Sequence, residues 1–318
     1  MSVLAIIDHG QGQIKKSTGE LLAYSAALAN ALGTEVSALI LGTVEDNLSD
    51  LGKYGVSSIF QDINAGFNTA DNQALTAAIA QFVTEKNIDT IVFPDGTLSN
   101  SVAPRLSAKL KAGFVSNAIG LPKLENGFSV KKAVYSGKAF AWYKINTAVK
   151  VISISSNSFE VKTSDATANV EAVSLNLEAS KVTIQSVDIV KGEIPLSEAS
   201  IVVSGGRGLK GPENWKIVED LAHSLHAGLA CSRPVSDSGW RPHHEHVGQT
   251  GKQIAPNLYI AAGISGAIQH LGGVNRSKVI VVINNDPEAP FFKAADYGIV
   301  GDVFEILPRL TAAVNNLN

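Results

Sequence analysis

Guanidinium, imidazole and hydroxyl groups gather on glycine-rich turns in the second half of the chain, where their spacing suits a phosphorylated ligand. The segment from Val247 to His270, VGQTGKQIAPNLYIAAGISGAIQH, joins three features. A polar turn at Gly248, Gln249, Thr250 and Gly251 comes first, then a short apolar strand, Leu258 to Ala262, then a Gly-Ile-Ser-Gly turn at Gly263 to Gly266. A helix is expected to open directly afterwards and to carry Gln269 and His270. A strand running through small residues into a helix presents outward-pointing backbone N–H groups, and glycines let an anion come close to the main chain. The same residues also make an ordinary βα connection, and their spacing is not G-x-G-x-x-G. The pattern alone leaves both readings open.

Three further clusters belong with this segment. Arg207 stands among four glycines between Ser204 and Gly211, and its planar guanidinium matches the oxygens of a pyrophosphate. Cys231, Ser232 and Arg233 precede Pro234 in a Ser- and Pro-rich loop. Cys231 reads as a small buried filler, with no histidine partner fixed by any motif. Asn284 and Asp286 in INNDPEAP, with Asp296 and Asp302 in AADYGIVGD, are the amide and acidic groups that bind ribose hydroxyls or adenine edges past strand ends, or that simply cap turns. His243, His244 and His246 in RPHHEH raise the question of a metal. Adjacent loop histidines point apart and no helix supplies a third ligand, so no metal site is expected. His223 and His226 read as helix-surface residues, and no G-x-S-x-G elbow supports hydrolase chemistry.

Alternating elements must position these groups. In the first half, apolar strands at Ser2–Asp8, Val36–Leu41, Val56–Phe60 and Asp89–Phe93 alternate with helices at Thr18–Leu32, Asp71–Glu85 and Asn100–Lys111. A β-rich stretch from Phe128 to Glu178 follows, and its segments are expected to extend or edge the first sheet. The α/β pattern restarts at Ser200. A helix is expected over Pro212–Leu225, strands over Leu258–Ala262, Lys278–Ile283 and Tyr297–Val300, and a last helix over Val303–Asn315. The fold class is α/β in two domains, residues 1–190 and 191–318, each a doubly wound and mainly parallel sheet. A length of 318 residues favours two cores over one.

Composition narrows the function. With 45% hydrophobic and 17% charged residues the chain buries a substantial core, and a net charge of −3 leaves no electrostatic footprint for nucleic acid. The single cysteine excludes an internal disulfide and fits a reducing compartment. No apolar run approaches a bilayer-spanning length, and the chain opens on an apolar strand without a basic leader, so a soluble cytoplasmic protein is expected.

Taken together, SGGRGLKGPENW at 204–215, ACSRPVSDSGW at 230–240, VGQTGKQIAPNLYIAAGISGAIQHLGG at 247–273 and VIVVINNDPEAPFFKAADYGIVGD at 279–302 resemble the alpha subunit of electron transfer flavoproteins. The first half resembles it more loosely, through 103–121 and 133–142. RPHHEH departs from the family's usual loop, and Asn117 stands where the family more often has an acid. The resemblance implies one FAD held mainly by a Rossmann-like second domain, and a heterodimer with a beta subunit that carries AMP. It implies an electron carrier of fatty acid beta-oxidation without substrate turnover of its own. Acyl-CoA dehydrogenases would be the donors and a membrane flavoprotein quinone oxidoreductase the acceptor.

Carried over position by position, the resemblance makes Arg207, Ser232, Arg233, Val247, Gly248, Gln249, Thr250, Ser265, Gly266, Ala267, Ile268, Gln269, His270, Asn284, Asp302 and Val303 the FAD contacts. Arg233, Thr250 and His270 would lie around the isoalloxazine and tune it. Ser265 to Ile268 would face the pyrophosphate, and Asn284 and Asp302 the adenosine. An electron-bifurcating relative would instead hold a second FAD in its beta subunit. A pyridine-nucleotide dehydrogenase is disfavoured by the lack of G-x-G-x-x-G after the first strand of either half. A nucleotide sensor would have no need of Arg233 and His270.

Overall fold

A computed structural model of the protein describes residues 2–135, 137–186 and 194–317. The chain divides into two compact units, Met1–Val187 and Asp188–Asn318. The domain boundary expected near residue 190 lies outside the described residues.

In the first unit, β1 (Ser2–Ile6) shows why the sheet is covered on both faces. Val3 and Ala5 pack with Leu21, Leu22 and Leu28, whereas Leu4 and Ile6 pack with Ile79, Phe82, Val102 and Leu106. Alternate residues of one strand thus feed two apolar layers, which is what a continuous apolar run encodes. The first layer is supplied by α1 (Thr18–Leu32), and the second by α2 (Asn72–Glu85) and α3 (Thr97–Leu110). A two-residue hairpin, β2 (His9–Gly10) with β3 (Gln13–Ile14), follows β1.

The remaining strands are β4 (Glu35–Leu41), β5 (Ser58–Asp62), β6 (Thr90–Phe93), β7 (Gly113–Ala118), β8 (Phe128–Val134), β9 (Ala139–Ile145), β10 (Lys150–Ile154) and β11 (Asn169–Ala172). With β1 they form one sheet of order β11-β5-β4-β1-β6-β10-β7-β8-β9. All pairings are parallel except β7 with β8 and β8 with β9.

Two expectations for this half are corrected. The segment 148–155 does not edge the sheet: β10 lies inside it, parallel to both β6 and β7. Val151, Ile152 and Ile154 are all buried, as a strand covered on both faces requires. Its neighbour β7 has no counterpart among the expected strands. Gly113, Ser116 and Asn117 dilute its apolar pattern, and Asn117 has a φ of 56°, beside a register shift between Ile152 and Ile154. The side chain of Glu20, in the first turn of α1, gathers the loop that follows β10. Its carboxylate accepts the backbone N–H groups of Asn157 at 3.0 Å, Ser158 at 2.7 Å and Phe159 at 2.9 Å.

The second unit holds β12 (Ile201–Gly205), β13 (Gly228–Cys231), β14 (Leu258–Ala262), β15 (Val279–Asn284) and β16 (Tyr297–Val300), all parallel in the order β13-β12-β14-β15-β16. Its helices are α4 (Lys216–Ser224), α5 (Arg233–Asp237), α6 (Ile268–Val274) and α7 (Val303–Asn315). The helix expected from Pro212 starts later. A 3₁₀ turn occupies Pro212–Asn214, and buried Trp215 precedes α4. The four-residue strand β13 was not expected, because GLAC carries no β-branched residue. The chain leaves β12 for β13 on one side and returns to β14 on the other. That reversal is where an open α/β sheet forms its ligand crevice, outside the carboxyl ends of the strands.

Candidate cofactor site

A cavity of about 500 Å³ opens at this reversal, within the usual range for small-molecule sites. It is lined by residues that follow four strands. Arg207 and Gly208 come after β12, and Ser232, Arg233 and Pro234 after β13. Gly263, Ile264, Ser265, Ala267, Gln269 and His270 come after β14, and Asn284 and Asp286 from the end of β15. The turn before β14 adds His246, Val247, Gly248 and Thr250. Ser232, His246, Val247, Ile264, His270 and Asn284 form a buried floor, and Arg207, Arg233, Thr250, Ser265, Gln269 and Asp286 an exposed rim.

Backbone contacts draw the loops together. The Gly206 N–H donates to the Ala262 carbonyl at 2.9 Å, the Gly208 N–H to Gly263 at 3.0 Å, and the Ser232 N–H to Gly205 at 3.1 Å. At Gly263, with φ of 64°, a β-carbon would come within 2.9 Å of the Gly208 Cα, so only glycine lets these two turns touch. Asn284 spends its amide on the scaffold. Its Nδ2 donates to the Ile264 carbonyl at 3.0 Å, and its Oδ1 accepts the Asp286 N–H at 3.0 Å.

The turn that carries His246 is clamped by Arg241, a residue that sequence reasoning passed over. Its guanidinium meets buried Glu245 through Nε at 2.8 Å and Nη2 at 2.6 Å, and Glu219 of α4 through Nη1 at 2.8 Å. His243 lies 5.6 Å from His246, ring centre to ring centre. Among the described residues, no group of three or more His, Cys, Asp and Glu side chains is placed to hold a metal ion.

The electrostatics separate neutral from charged groups. His270 is 7% exposed, and its Nε2 lies 2.7 Å from the buried Tyr259 hydroxyl. Burial, with a smaller contribution from His246, pushes His270 down to about 4, while the Val247 backbone opposes this. Burial holds the Tyr259 phenol far above its ordinary range, so it stays protonated. The Tyr259 hydroxyl occupies Nε2, and Nδ1 is buried without a hydrogen-bond partner. His270 is therefore neutral at neutral pH and supplies no cation. Positive charge comes instead from Arg207 and from Arg233, which pairs with Asp237 at 3.2 Å while remaining exposed. The buried Cys231 thiol is pushed up to about 12 by burial and by Glu245, against the pull of Arg241, so at neutral pH it is no nucleophile.

Of the sixteen positions expected to contact a flavin, eleven line the cavity: Arg207, Ser232, Arg233, Val247, Gly248, Thr250, Ser265, Ala267, Gln269, His270 and Asn284. The other five lie elsewhere. Gln249 shapes the turn, its N–H donating to the Gln269 carbonyl at 2.7 Å. Gly266 packs against Phe291. Ile268 opens α6, which is only seven residues long. Asp302 caps α7 by accepting the Phe304 N–H at 3.0 Å, and Val303 belongs to the core. His246 lines the cavity without having been expected there. Its place in a loop of three histidines drew attention to metals and away from the floor of a pocket.

Comparison with known proteins bears on what this cavity holds. The model of the electron transfer flavoprotein FAD-binding domain matches residues 195–275, and that of the electron transfer flavoprotein domain matches 3–180. The electron transfer flavoprotein alpha subunit of Bacillus subtilis is 33% identical over 319 aligned residues, covering 99% of this chain and 98% of its own. The chain belongs to the electron transfer flavoprotein alpha-subunit family. The family's alpha subunit from Syntrophomonas wolfei is 37% identical, with 96% of each chain covered, and that from Pseudomonas aeruginosa is 36% identical, covering 99% of this chain and all of its own. A Caenorhabditis elegans relative at 36% identity is named as mitochondrial. Among the described residues no helix is long and apolar enough to cross a membrane. As a family member the chain is an electron transfer flavoprotein subunit with an FAD-binding domain. That domain contains the loops after β12, β13 and β14, which supply most of the cavity wall.

Proposed function

We propose that FAD occupies the cavity after β12 and β14, and that the chain works as a carrier without substrate turnover of its own. The observation that carries this reading is His270: a buried imidazole on the cavity floor, locked by Tyr259 through one nitrogen and left with an unpartnered Nδ1. A buried polar group without a partner costs about 1–3 kcal/mol, and a ligand that hydrogen-bonds to it removes that cost. The residues present fit the cofactor. Arg207 and the Gly208–Gly263 contact suit the pyrophosphate, Asp286 a ribose hydroxyl, and Arg233, Thr250 and His270 the isoalloxazine. When bound, FAD supplies one-electron redox chemistry. Arg233 places positive charge where negative charge arrives, and the neutral His270 ring presents its free Nδ1 on the cavity floor.

The partner is a beta subunit carrying AMP, the donors are flavoprotein dehydrogenases of the acyl-CoA type, and the acceptor is a membrane quinone oxidoreductase, with the complex in the cytoplasm. The alpha-subunit names of the relatives support a beta partner. Counting nucleotides in the co-purified pair tests this: one FAD and one AMP per pair is the expected result, and two FAD would replace the carrier with the bifurcating type. Arg233→Ala is expected to lower the potential for the first electron by about 60 mV, a tenfold change in that equilibrium. An unchanged potential in a mediated redox titration would remove Arg233 from the tuning.

A further inference from the structure

The cavity floor holds a second histidine whose chemistry the FAD reading does not use. His246 is 3% exposed, it lines the cavity, and its Nδ1 is buried with no hydrogen-bond partner. Its position is fixed by its backbone. The Lys252 N–H donates to the His246 carbonyl at 2.9 Å, and the neighbouring Val247 N–H donates to Cys231 at 3.1 Å. The ring lies against Gly251, where a β-carbon would fall 2.8 Å from Nδ1. One ring away is His243, which is exposed and has its Nδ1 3.3 Å from the Ser236 hydroxyl. A buried imidazole in the cavity wall thus has an exposed imidazole 5.6 Å from it.

We infer that His246 is the group that takes up a proton when an electron enters the cavity, so that this chain couples its one-electron potential to pH. The inference rests on the FAD reading. The electron comes from an external one-electron donor of the flavoprotein class, and the proton comes from solvent on the His243 side. The proton bonds to the unprotonated ring nitrogen of His246, giving an imidazolium; no bond breaks in the protein, and one negative and one positive charge enter together. His270 is less suited, since Tyr259 occupies one of its nitrogens and burial keeps the ring neutral to a much lower pH.

The groups acting on His246 come from each element around it: His243 on its own turn, Arg233 and Asp237 on α5, and His270 on α6. Burial, His243 and Arg233 hold its proton affinity below the ordinary histidine value, against Asp237. The ring is therefore neutral at neutral pH and able to accept. Glu245, the acid beside it in sequence, is tied to Arg241.

The test is a mediated redox titration of the FAD-loaded pair of subunits from about pH 6 to about pH 8, with dithionite as reductant. The first-electron potential is expected to fall with rising pH, approaching 59 mV per pH unit where His246 titrates. His246→Gln keeps an amide that can hydrogen-bond but cannot titrate, and it should cut that slope to less than about half. A flat wild-type potential, or a slope that His246→Gln leaves unchanged, would overturn the inference while FAD binding stands. Should the variant not fold, ¹⁵N-histidine spectra of the wild-type pair decide the question. The His246 ring should become an imidazolium on reduction at neutral pH, and a ring that stays neutral overturns the inference. A preparation that takes up no FAD removes the reading and the inference together.

Discussion

Gly273→Val is expected to yield a chain that loses FAD on purification, with an affinity at least 100-fold below the wild type. Gly273 sits in α6, where its backbone rests directly on the turn that lines the cavity. A β-carbon there would lie 2.4 Å from the Gly248 Cα, 2.5 Å from its carbonyl carbon and 2.6 Å from its nitrogen. All three are main-chain atoms, so no rotamer change relieves the overlap. Overpacking of this kind costs about 1–3 kcal/mol, and valine adds two more carbons to the crowding. If the turn from Val247 to Thr250 moves away to make room, about 3 kcal/mol of lost preorganisation corresponds to a roughly 100-fold loss of affinity. Gly272→Ala is the control. Its β-carbon would meet only the Gln249 Cβ at 3.7 Å, an ordinary contact. Fluorescence titration of FAD into the two variants separates them, and equal affinities would show that the α6 contact does not shape the site.

The second large effect is acid sensitivity centred on His270. Its folded value is lowered to about 4 from an ordinary 6.5, so between those values the unfolded chain binds more protons than the folded one. Stability then rises with pH through that window and falls on acidification. The term is absent above about pH 6.5 and reaches roughly 3 kcal/mol of destabilisation below about pH 4, at 1.36 kcal/mol per pKa unit. Thermal unfolding of the FAD-free chain should therefore shift down steeply between those limits. His270→Gln, which cannot take a proton, should lose most of that steepness even though it is less stable at neutral pH for want of the Tyr259 bond. An unaltered pH slope in the variant would place the acid sensitivity elsewhere.

How far the sequence revealed these features depended on how local their signals were. The strands β1, β4, β14 and β15 are short apolar runs bounded by turns, and residue pattern located them. The interior position of β10 was hidden, since strand order depends on contacts between segments far apart in the chain, and the β-rich stretch around it read as extending or edging the sheet. The arginines and glycines of the site stood out as a pattern, but turn chemistry alone also gathers glycine at strand ends, so the pattern left two readings open. Asp302 and Val303 entered only through the resemblance, and in the fold one caps a helix and the other joins the core. Arg241 and Tyr259 stayed unnoticed, because their importance comes only from partners brought close by folding: Glu219 and Glu245 for the first, His270 for the second. His246 was weighed only as a metal ligand and set aside. Three histidines in four residues raise that question, while the fold sends one inward and leaves His243 outside.

That FAD fills the cavity at the β12–β14 reversal is tested most directly by the visible spectrum of the co-purified alpha and beta chains during stepwise dithionite reduction. A yellow complex is expected, with flavin absorption that bleaches in separable one-electron steps and with FAD released on unfolding. A colourless complex that takes up no FAD when it is supplied would contradict the account.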